Sequence, residues 1–457
     1  MSPPNTSAQG NRQPLTRGQR RLAVGLILSV SLVAFETTAV ITALPTITDE
    51  LHGDSLYGAT LSVYMLADLV ALVWAGERAD RVGVRRPFLI CIAVFLAGLV
   101  ISASAPTMPI VVLGRLLQGA GTGGFAPLSY VAVRRAFPNS QQARLYAFLS
   151  AGWVLPSLFA PAISGVVTER FGWRWIFIAI IPAAIAVALL TARSMHNLQP
   201  TGVPAQRQPT RLGRALQTAI GVGILTVGLQ SDQVLVGTSA SVAGIALALP
   251  ALRTMLPPGT FTARPGLPAI IVVRFMATAA FLGVDSFVPL AADRIHHASA
   301  IIQGFVIAGA SVSWTIGQAV AAKWPQQFPI KRATTIGFSL LLVGVAIVAP
   351  VLSSQTSLVF TFAGWAIGGL GMGLVFNPTT TASMSYANEG QEGGVSSQIH
   401  LADSLGFGLM GTFGGTTVAI AERTSFTLPG ALGVNFATAA GCAVVGLCAG
   451  RAAHERR

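Results

Sequence analysis

Charge is what this chain has least of. Only 10% of its 457 residues are Asp, Glu, Lys or Arg, where soluble domains carry about 25%. With 52% hydrophobic residues and a mean hydropathy of +0.65, an ordinary soluble fold is excluded and a polytopic membrane protein is indicated. Cysteine is nearly absent too. Cys91, Cys442 and Cys448 are odd in number, lie in apolar runs and lack metal-ligand spacing. They read as small core residues, not as a disulfide framework or a metal site. The histidines His52, His196, His296, His297, His400 and His454 show no ligand spacing either. No nucleophile elbow and no phosphate-cradling loop is present. The chain therefore offers no catalytic residues, no metal, no cofactor and no site for ATP-driven transport. Lysine is limited to Lys323 and Lys331, which hints at a GC-rich bacterial genome and says nothing of mechanism. No large soluble insertion interrupts the apolar pattern, and no cleavable leader is expected, because the polar start runs into a span too long for one.

What charge there is alternates. Arg12, Arg17, Arg20 and Arg21 precede the first apolar run, and Arg78, Arg81, Arg85 and Arg86 follow the second. Arg134, Arg135 and Arg144 come next, then Arg207, Arg211 and Arg214, and finally Lys323, Lys331 and Arg332. Intervening loops carry Asp49, Glu50, Asp54 and Asp232. A net charge of +13 spread in this way follows the positive-inside rule and puts both termini in the cytoplasm. A nucleic-acid surface would gather its basic residues on one face instead, so no nucleic-acid partner is expected.

Apolar runs near bilayer length predict an all-α protein with spans at 22–45, 55–76, 87–105, 108–130, 143–167, 173–192, 212–230, 234–252, 269–292, 300–322, 333–352, 356–378, 393–418 and 431–450. The pair between 212 and 252 is the weakest, and twelve spans would preserve the charge parity equally well. Gly114-Arg-Leu-Leu-Gln-Gly119-Ala-Gly121-Thr-Gly123 recurs as Gly364-Trp-Ala-Ile-Gly-Gly369-Leu-Gly371-Met-Gly373 at an offset of 250 residues, with Pro127 and Pro378 following. Duplicated halves around a midplane site are a common transporter plan. The expected division is a tail (1–21), a six-helix bundle (22–192), a linker with two extra helices (193–268), a second six-helix bundle (269–450) and a tail (451–457). The run Gly119 to Gly124 spells G-x-G-x-x-G, but inside an apolar span it reads as close helix packing through small residues, not as a dinucleotide turn.

Six ionisable residues fall within apolar runs: Glu36, Asp68, Arg115, Arg274, Asp285 and Asp403. Each costs roughly 2.5–3.5 kcal/mol at the centre of a membrane helix, so they must face a cavity or one another. Glu36 and Arg115 sit at depths differing by about 3 Å at the helical rise, close enough to pair. The pair is either a static packing feature or a proton-coupling site, with Asp68 as a relay or as a polar cavity wall. Asp285 and Asp403 are candidates for binding substrate or protons, and His400 for lining the same cavity as Glu36. Arg274, near a basic span end, either snorkels to the interface or joins the buried set. Trp173 and Trp175 fit an outer aromatic belt, and Trp74 and Trp324 an inner one.

The loop Gly76-Glu-Arg-Ala-Asp80-Arg81-Val-Gly83-Val-Arg85-Arg86 has the pattern G-x-x-x-D-R-x-G-x-R-R between two spans. It resembles the loop signature of the major facilitator superfamily. With Glu36-Thr-Thr-Ala-Val-Ile-Thr-Ala-Leu44-Pro45, Arg115-Leu-Leu-Gln118-Gly119 and Gly172-Trp173-Arg174-Trp175-Ile-Phe177 with Pro182, the first half is similar to the fourteen-span drug:proton antiporters (EmrB/QacA-like). That family usually has Asp where Glu36 stands. The resemblance implies that Arg115 assists proton transfer. It also implies a gating loop of Gly76, Asp80, Arg81, Gly83, Arg85 and Arg86, in which Asp80 locks the bundles by meeting a helix end. The antiporter motif of the fifth span reads here Ala160-Pro161-Ala-Ile-Ser164-Gly165, with Ala and Ser replacing glycines. Pro161 and Gly165, like Gly119, Gly123, Gly369 and Gly373, are thus expected to pack helices. Trp365 occupies the repeat position of Arg115. The expected activity is proton-driven export of lipophilic or cationic small molecules by alternating access, from a monomer in the bacterial inner membrane. Proton-coupled movement of a specific metabolite or lipid on the same fold is the alternative, and a non-transporting receptor or scaffold the third.

Overall fold

The computed structural model describes residues 15–53, 56–195, 198, 211–229, 231, 233–298, 300–423 and 425–453. Arg12, Asp54, His196, Arg207, Asp232 and His454 lie outside them. The helices in order are α1 (Arg17–Glu50), α2 (Tyr57–Val82), α3 (Arg85–Ala103), α4 (Met108–Thr122), α5 (Phe125–Ala136), α6 (Asn139–Ala151), α7 (Val154–Phe171) and α8 (Arg174–Ser194). Two more, α9 (Arg211–Leu229) and α10 (Val234–Met255), form a hairpin. The second half comprises α11 (Leu267–Asp285), α12 (Val288–His296), α13 (Ala300–Lys323), α14 (Ile330–Val348), α15 (Leu358–Ser385), α16 (Glu392–Arg423) and α17 (Leu428–Gly450). There is no strand among the described residues.

Three of the expected spans are broken in two. Pro127, Pro156 and Pro289 have no N–H for the carbonyls of Gly123, Gly152 and Asp285 four positions earlier, and the breaks between α4 and α5, α6 and α7, and α11 and α12 fall at those carbonyls. Gly123 and Gly124 keep helical dihedrals, so α5 carries on from α4. Thirteen helices among the described residues are long and apolar enough to cross a membrane, counting α6–α7 and α11–α12 as one each. The α4–α5 pair falls outside that count because neither piece reaches the required length.

Two apolar cores result. The first gathers Leu26, Phe88, Phe95, Phe125 and Phe177 from α1, α3, α5 and α8. The second gathers Phe281, Phe338, Trp365 and Phe436 from α11, α14, α15 and α17. A smaller cluster joins Leu69, Leu72 and Val73 of α2 to Ala215 and Ala219 of α9, Met255 of α10 and Leu401 and Leu405 of α16. The extra hairpin thus covers the seam where α2 of the first bundle meets α16 of the second.

The repeated glycines bring helices to van der Waals limits. A Cβ on Gly119 would stand 2.2 Å from the Tyr64 carbonyl oxygen, and one on Gly123 2.3 Å from that of Asp68. In the second half, Gly369 and Gly373 meet the carbonyls of Ala310 and Trp314 at 2.2 and 2.1 Å on the same basis. The fifth span corrects the expectation drawn for it. Nothing lies within 4 Å of a Cβ on Gly165, and Pro161 is exposed inside α7. Ser164 makes the contact there instead, donating to the Ala39 carbonyl at 2.7 Å.

Candidate functional site

Glu36 on α1 and Arg115 on α4 are 0% and 1% exposed and form an ion pair through Arg115 Nη1. The same Nη1 donates to Gln118 Oε1 at 2.7 Å. Gln118 is held in turn, its Nε2 donating to Ser102 Oγ at 3.0 Å and to the Gly98 carbonyl at 3.2 Å. The guanidinium lies over the Tyr64 ring, 4.0 Å from its centroid, and the Tyr64 hydroxyl is 3.3 Å from Thr37 Oγ1. One turn along α2, Asp68 accepts from Thr122 Oγ1 at 3.4 Å. Desolvating two charges costs several kcal/mol each unless they meet, and the glycine contacts of α4 with α2 and α3 bring the backbones close enough for that meeting. One acceptor remains open: Glu36 Oε2 is buried without a hydrogen-bond partner. A carboxylate with one oxygen bound and one free has a lone pair open to a proton, and taking it removes the charge that holds Arg115.

The second half holds two other clusters. Asp285, at the end of α11, accepts from Trp365 Nε1 at 2.6 Å. Arg274 is 1% exposed, which rules out snorkelling. Its Nε donates to Asp403 Oδ1 at 2.9 Å, and Nη2 pairs with Asp403 Oδ2. Arg274 Nη1 donates to Thr380 Oγ1 at 2.6 Å, and Thr278 Oγ1 adds a bond to Asp403 at 3.2 Å. His400 Nδ1 lies 3.9 Å from Asp403, and its ring sits 4.5 Å from that of Tyr130 in the first bundle. Glu36, Asp285 and the His400–Asp403 pair thus belong to three separate sets of contacts, each acid with its own donor.

The basic loop and its surroundings join the bundles. Asp80 Oδ1 and Oδ2 accept from the N–H groups of Gly393 and Gly394 at 2.7 and 2.9 Å, in the first turn of α16. A helix N-terminus favours an anion there. Arg135 bridges Asp80 at 3.6 Å and Glu392 at 2.8 Å. Further in, Ser397 donates to the Leu72 carbonyl at 2.8 Å, Ser396 to that of Pro127 at 3.0 Å, and Asn377 to that of Ala143 at 2.7 Å. A Cβ on Gly76 would stand 1.9 Å from Ser397 Oγ. Gly83 turns the chain at φ +80°, a conformation open to glycine. Arg81 pairs with Glu77 one turn back, Arg85 Nε donates to the Ala192 carbonyl at 2.9 Å, and Arg86 is exposed. These bundle-to-bundle bonds lie in the basic-loop half of the spans. In the other half, Gly304 and Gly309 of α13 and Gly408, Gly411 and Gly415 of α16 face open space.

Sequence reasoning missed several participants. Tyr64 and Tyr130 carry no charge to flag them, and the partnership of Arg135 with Glu392 spans 257 positions. Trp173 is 1% exposed and donates to Glu50 at 2.9 Å, so it is a buried anchor and not a belt residue. Trp175, at 52% exposed, does face outward.

Residues 26–411 match the family described as Major Facilitator Superfamily. Among relatives, a protein of Mycobacterium tuberculosis H37Rv named a probable multidrug-efflux transporter, Rv1634, is 27% identical over 443 residues, covering 91% of this chain and 93% of that one. The multidrug transporter protein MdtP of Bacillus subtilis is 26% identical over 407 residues, covering 86% of this chain and 73% of that one. Among solved structures, the human organic anion transporter MFSD10 superposes with a TM-score of 0.72 at 14% identity, covering 95% of this chain and all of that one.

Proposed function

The chain belongs to the major facilitator superfamily, a multi-pass transporter family whose members bind small molecules within the membrane, and on that footing we propose that it is a proton-coupled exporter of lipophilic or cationic compounds. The observation that carries the reading is the Glu36–Arg115 pair, fully buried yet left with an unpartnered carboxylate oxygen. Arg115 holds Glu36 while it is ionised; protonation of Glu36 weakens the pair and releases Arg115 toward Gln118 and Tyr64. Loss of that attachment between α1 and α4 makes proton uptake mechanically consequential. Asp68, bonded to Thr122 one turn from Tyr64, lies where a proton leaving Glu36 toward the basic-loop side is received.

The bundle contacts supply the other half of the cycle. The basic-loop side is the cytoplasmic one, with both termini there, in a bacterial inner membrane. On this reading the lock of Asp80 on the α16 N-terminus, with Arg135 and Glu392, holds that side closed. Multidrug efflux, named for the mycobacterial relative, and multidrug transport, named for the Bacillus one, fit acids set among apolar walls.

The test is transport by purified protein in liposomes. A pH gradient is expected to drive ethidium opposite to proton flow, and a protonophore to abolish that movement. If no lipophilic cation moves on the gradient, the cargo assignment fails.

A further inference from the structure

The two halves hold comparable pairs with different chemistry, Trp365 at the repeat position of Arg115 and Asp285 one residue before that of Glu36. Glu36 on α1 meets Arg115 on α4. Asp285 on α11 meets Trp365 on α15, at the repeat position of Arg115. In the first half the carboxylate has an internal guanidinium. In the second it has only a neutral indole N–H, and no cationic side chain of the described residues forms an ion pair with it.

The surroundings are those of a cation site. Phe281 stacks on Trp365 with centroids 4.8 Å apart and planes 12° apart. Trp314 meets Phe281 edge-on at 5.2 Å, and Phe376 meets Trp314 at 5.3 Å. Phe281 and Trp365 are buried at 2% and 0% exposure, forming a backing layer, while Asp285, Trp314 and Phe376 are part-exposed in front of it. Trp314 Nε1 is buried without a partner, a donor waiting for an acceptor. Arg274 lies over the Phe376 ring, 3.5 Å from its centroid, and is committed to Asp403.

We propose that Asp285, with the aromatic ladder of Phe281, Trp314, Trp365 and Phe376, binds the cationic group of the cargo, which takes the place that Arg115 fills in the first half. Aromatic faces attract cations, more so when desolvated, and a lone carboxylate at membrane depth gains most from a counter-ion. The uncommitted Trp314 N–H suits cargo that carries a hydrogen-bond acceptor beside its positive centre. The two halves thereby divide the work, protons at Glu36 and cargo charge at Asp285. The inference rests on the exporter reading for why a cation is carried, but its test is a binding measurement independent of coupling.

Purified protein in detergent is titrated with radiolabelled tetraphenylphosphonium and, separately, with tetraphenylborate, which has the same shape and the opposite sign. The expected result is saturable binding of the cation only, weakened at least tenfold in Asp285→Asn. Asparagine still accepts from Trp365, so this variant is expected to fold, and its elution as a monodisperse peak checks that. Trp314→Phe, which keeps a ring and loses the N–H, is expected to weaken rhodamine 6G, whose ester carbonyl can accept, more than tetraphenylphosphonium, which has no acceptor. Equal cation binding by wild type and Asp285→Asn, equal binding of cation and anion, or no saturable cation binding by wild type would each overturn the proposal. Asp285-dependent binding without gradient-driven transport would uphold the site and remove the exporter reading.

Discussion

At the scale of single residues, Glu36 and Arg115 are unequal partners in a substitution. Arg115→Ala strands a buried carboxylate and is expected to cost about 3–5 kcal/mol, read as a large fall in the yield of folded, detergent-stable protein. Glu36→Gln keeps the shape and a hydrogen-bond acceptor for the guanidinium, and is expected to fold, with transport no longer responding to a pH gradient. Gln118→Ala removes the side chain that shares Arg115 Nη1, and a loss of about 1–3 kcal/mol follows if the buried donors stay unsatisfied. Normal thermal stability of Arg115→Ala would show that the pair is not the support described here. The pair was legible in the sequence because charge in hydrocarbon is expensive enough to demand a partner. Arg274 was half legible: its cost was visible, but Asp403, 129 positions away, could not be assigned to it without knowing which faces of α11 and α16 meet. Trp173 was misjudged because an indole reads as interfacial by amphipathic character alone, and the acceptor that buries it is on α1.

Among the elements, the glycine repeats of α4 and α15 decide how closely their neighbours approach. Gly119→Val and Gly373→Val put carbon where the Tyr64 and Trp314 backbone carbonyls already stand, and each is expected to destabilise by about 1–3 kcal/mol through overpacking. Gly165→Ala, with open space around it, is expected to leave stability within about 0.5 kcal/mol. Thermal unfolding of the three variants in detergent checks the contrast; equal melting temperatures would contradict it. The repeat itself was readable, since a ten-residue pattern of glycines at one offset has few other meanings in apolar spans. The breaks in the fourth, fifth and ninth helical runs were not drawn, although Pro127, Pro156 and Pro289 were in plain view. Hydropathy windows average over a break, and only the bookkeeping of each carbonyl against the N–H four residues on exposes it.

For the whole molecule, alternating access as proposed puts the balance between two states where the bundles meet. Asp80→Asn keeps one acceptor for the α16 N-terminus but removes the charge that the helix end and Arg135 favour. A loss of about 1.4 kcal/mol would shift the equilibrium tenfold, toward separation of α2 from α16. Spin labels on the basic-loop ends of those helices are expected to report a longer-distance population in Asp80→Asn than in wild type, and an unchanged distribution would deny Asp80 a part in the lock. The loop pattern gave this residue away, yet its partners Gly393 and Gly394 carry no side chain that could have marked them. The division of labour between the halves was likewise only partly visible. The substitution of Trp365 for arginine stands in the sequence, but the indole's bond to Asp285 required the fold.

The central claim is that Glu36 couples proton movement to cargo movement, and one comparison tests it most directly. Proteoliposomes bearing wild type or Glu36→Gln are assayed for ethidium exchange at equal pH on both sides and for ethidium accumulation driven by a pH gradient. The account predicts that Glu36→Gln retains exchange and loses gradient-driven accumulation, while wild type performs both. Gradient-driven accumulation by Glu36→Gln at the wild-type level would contradict it.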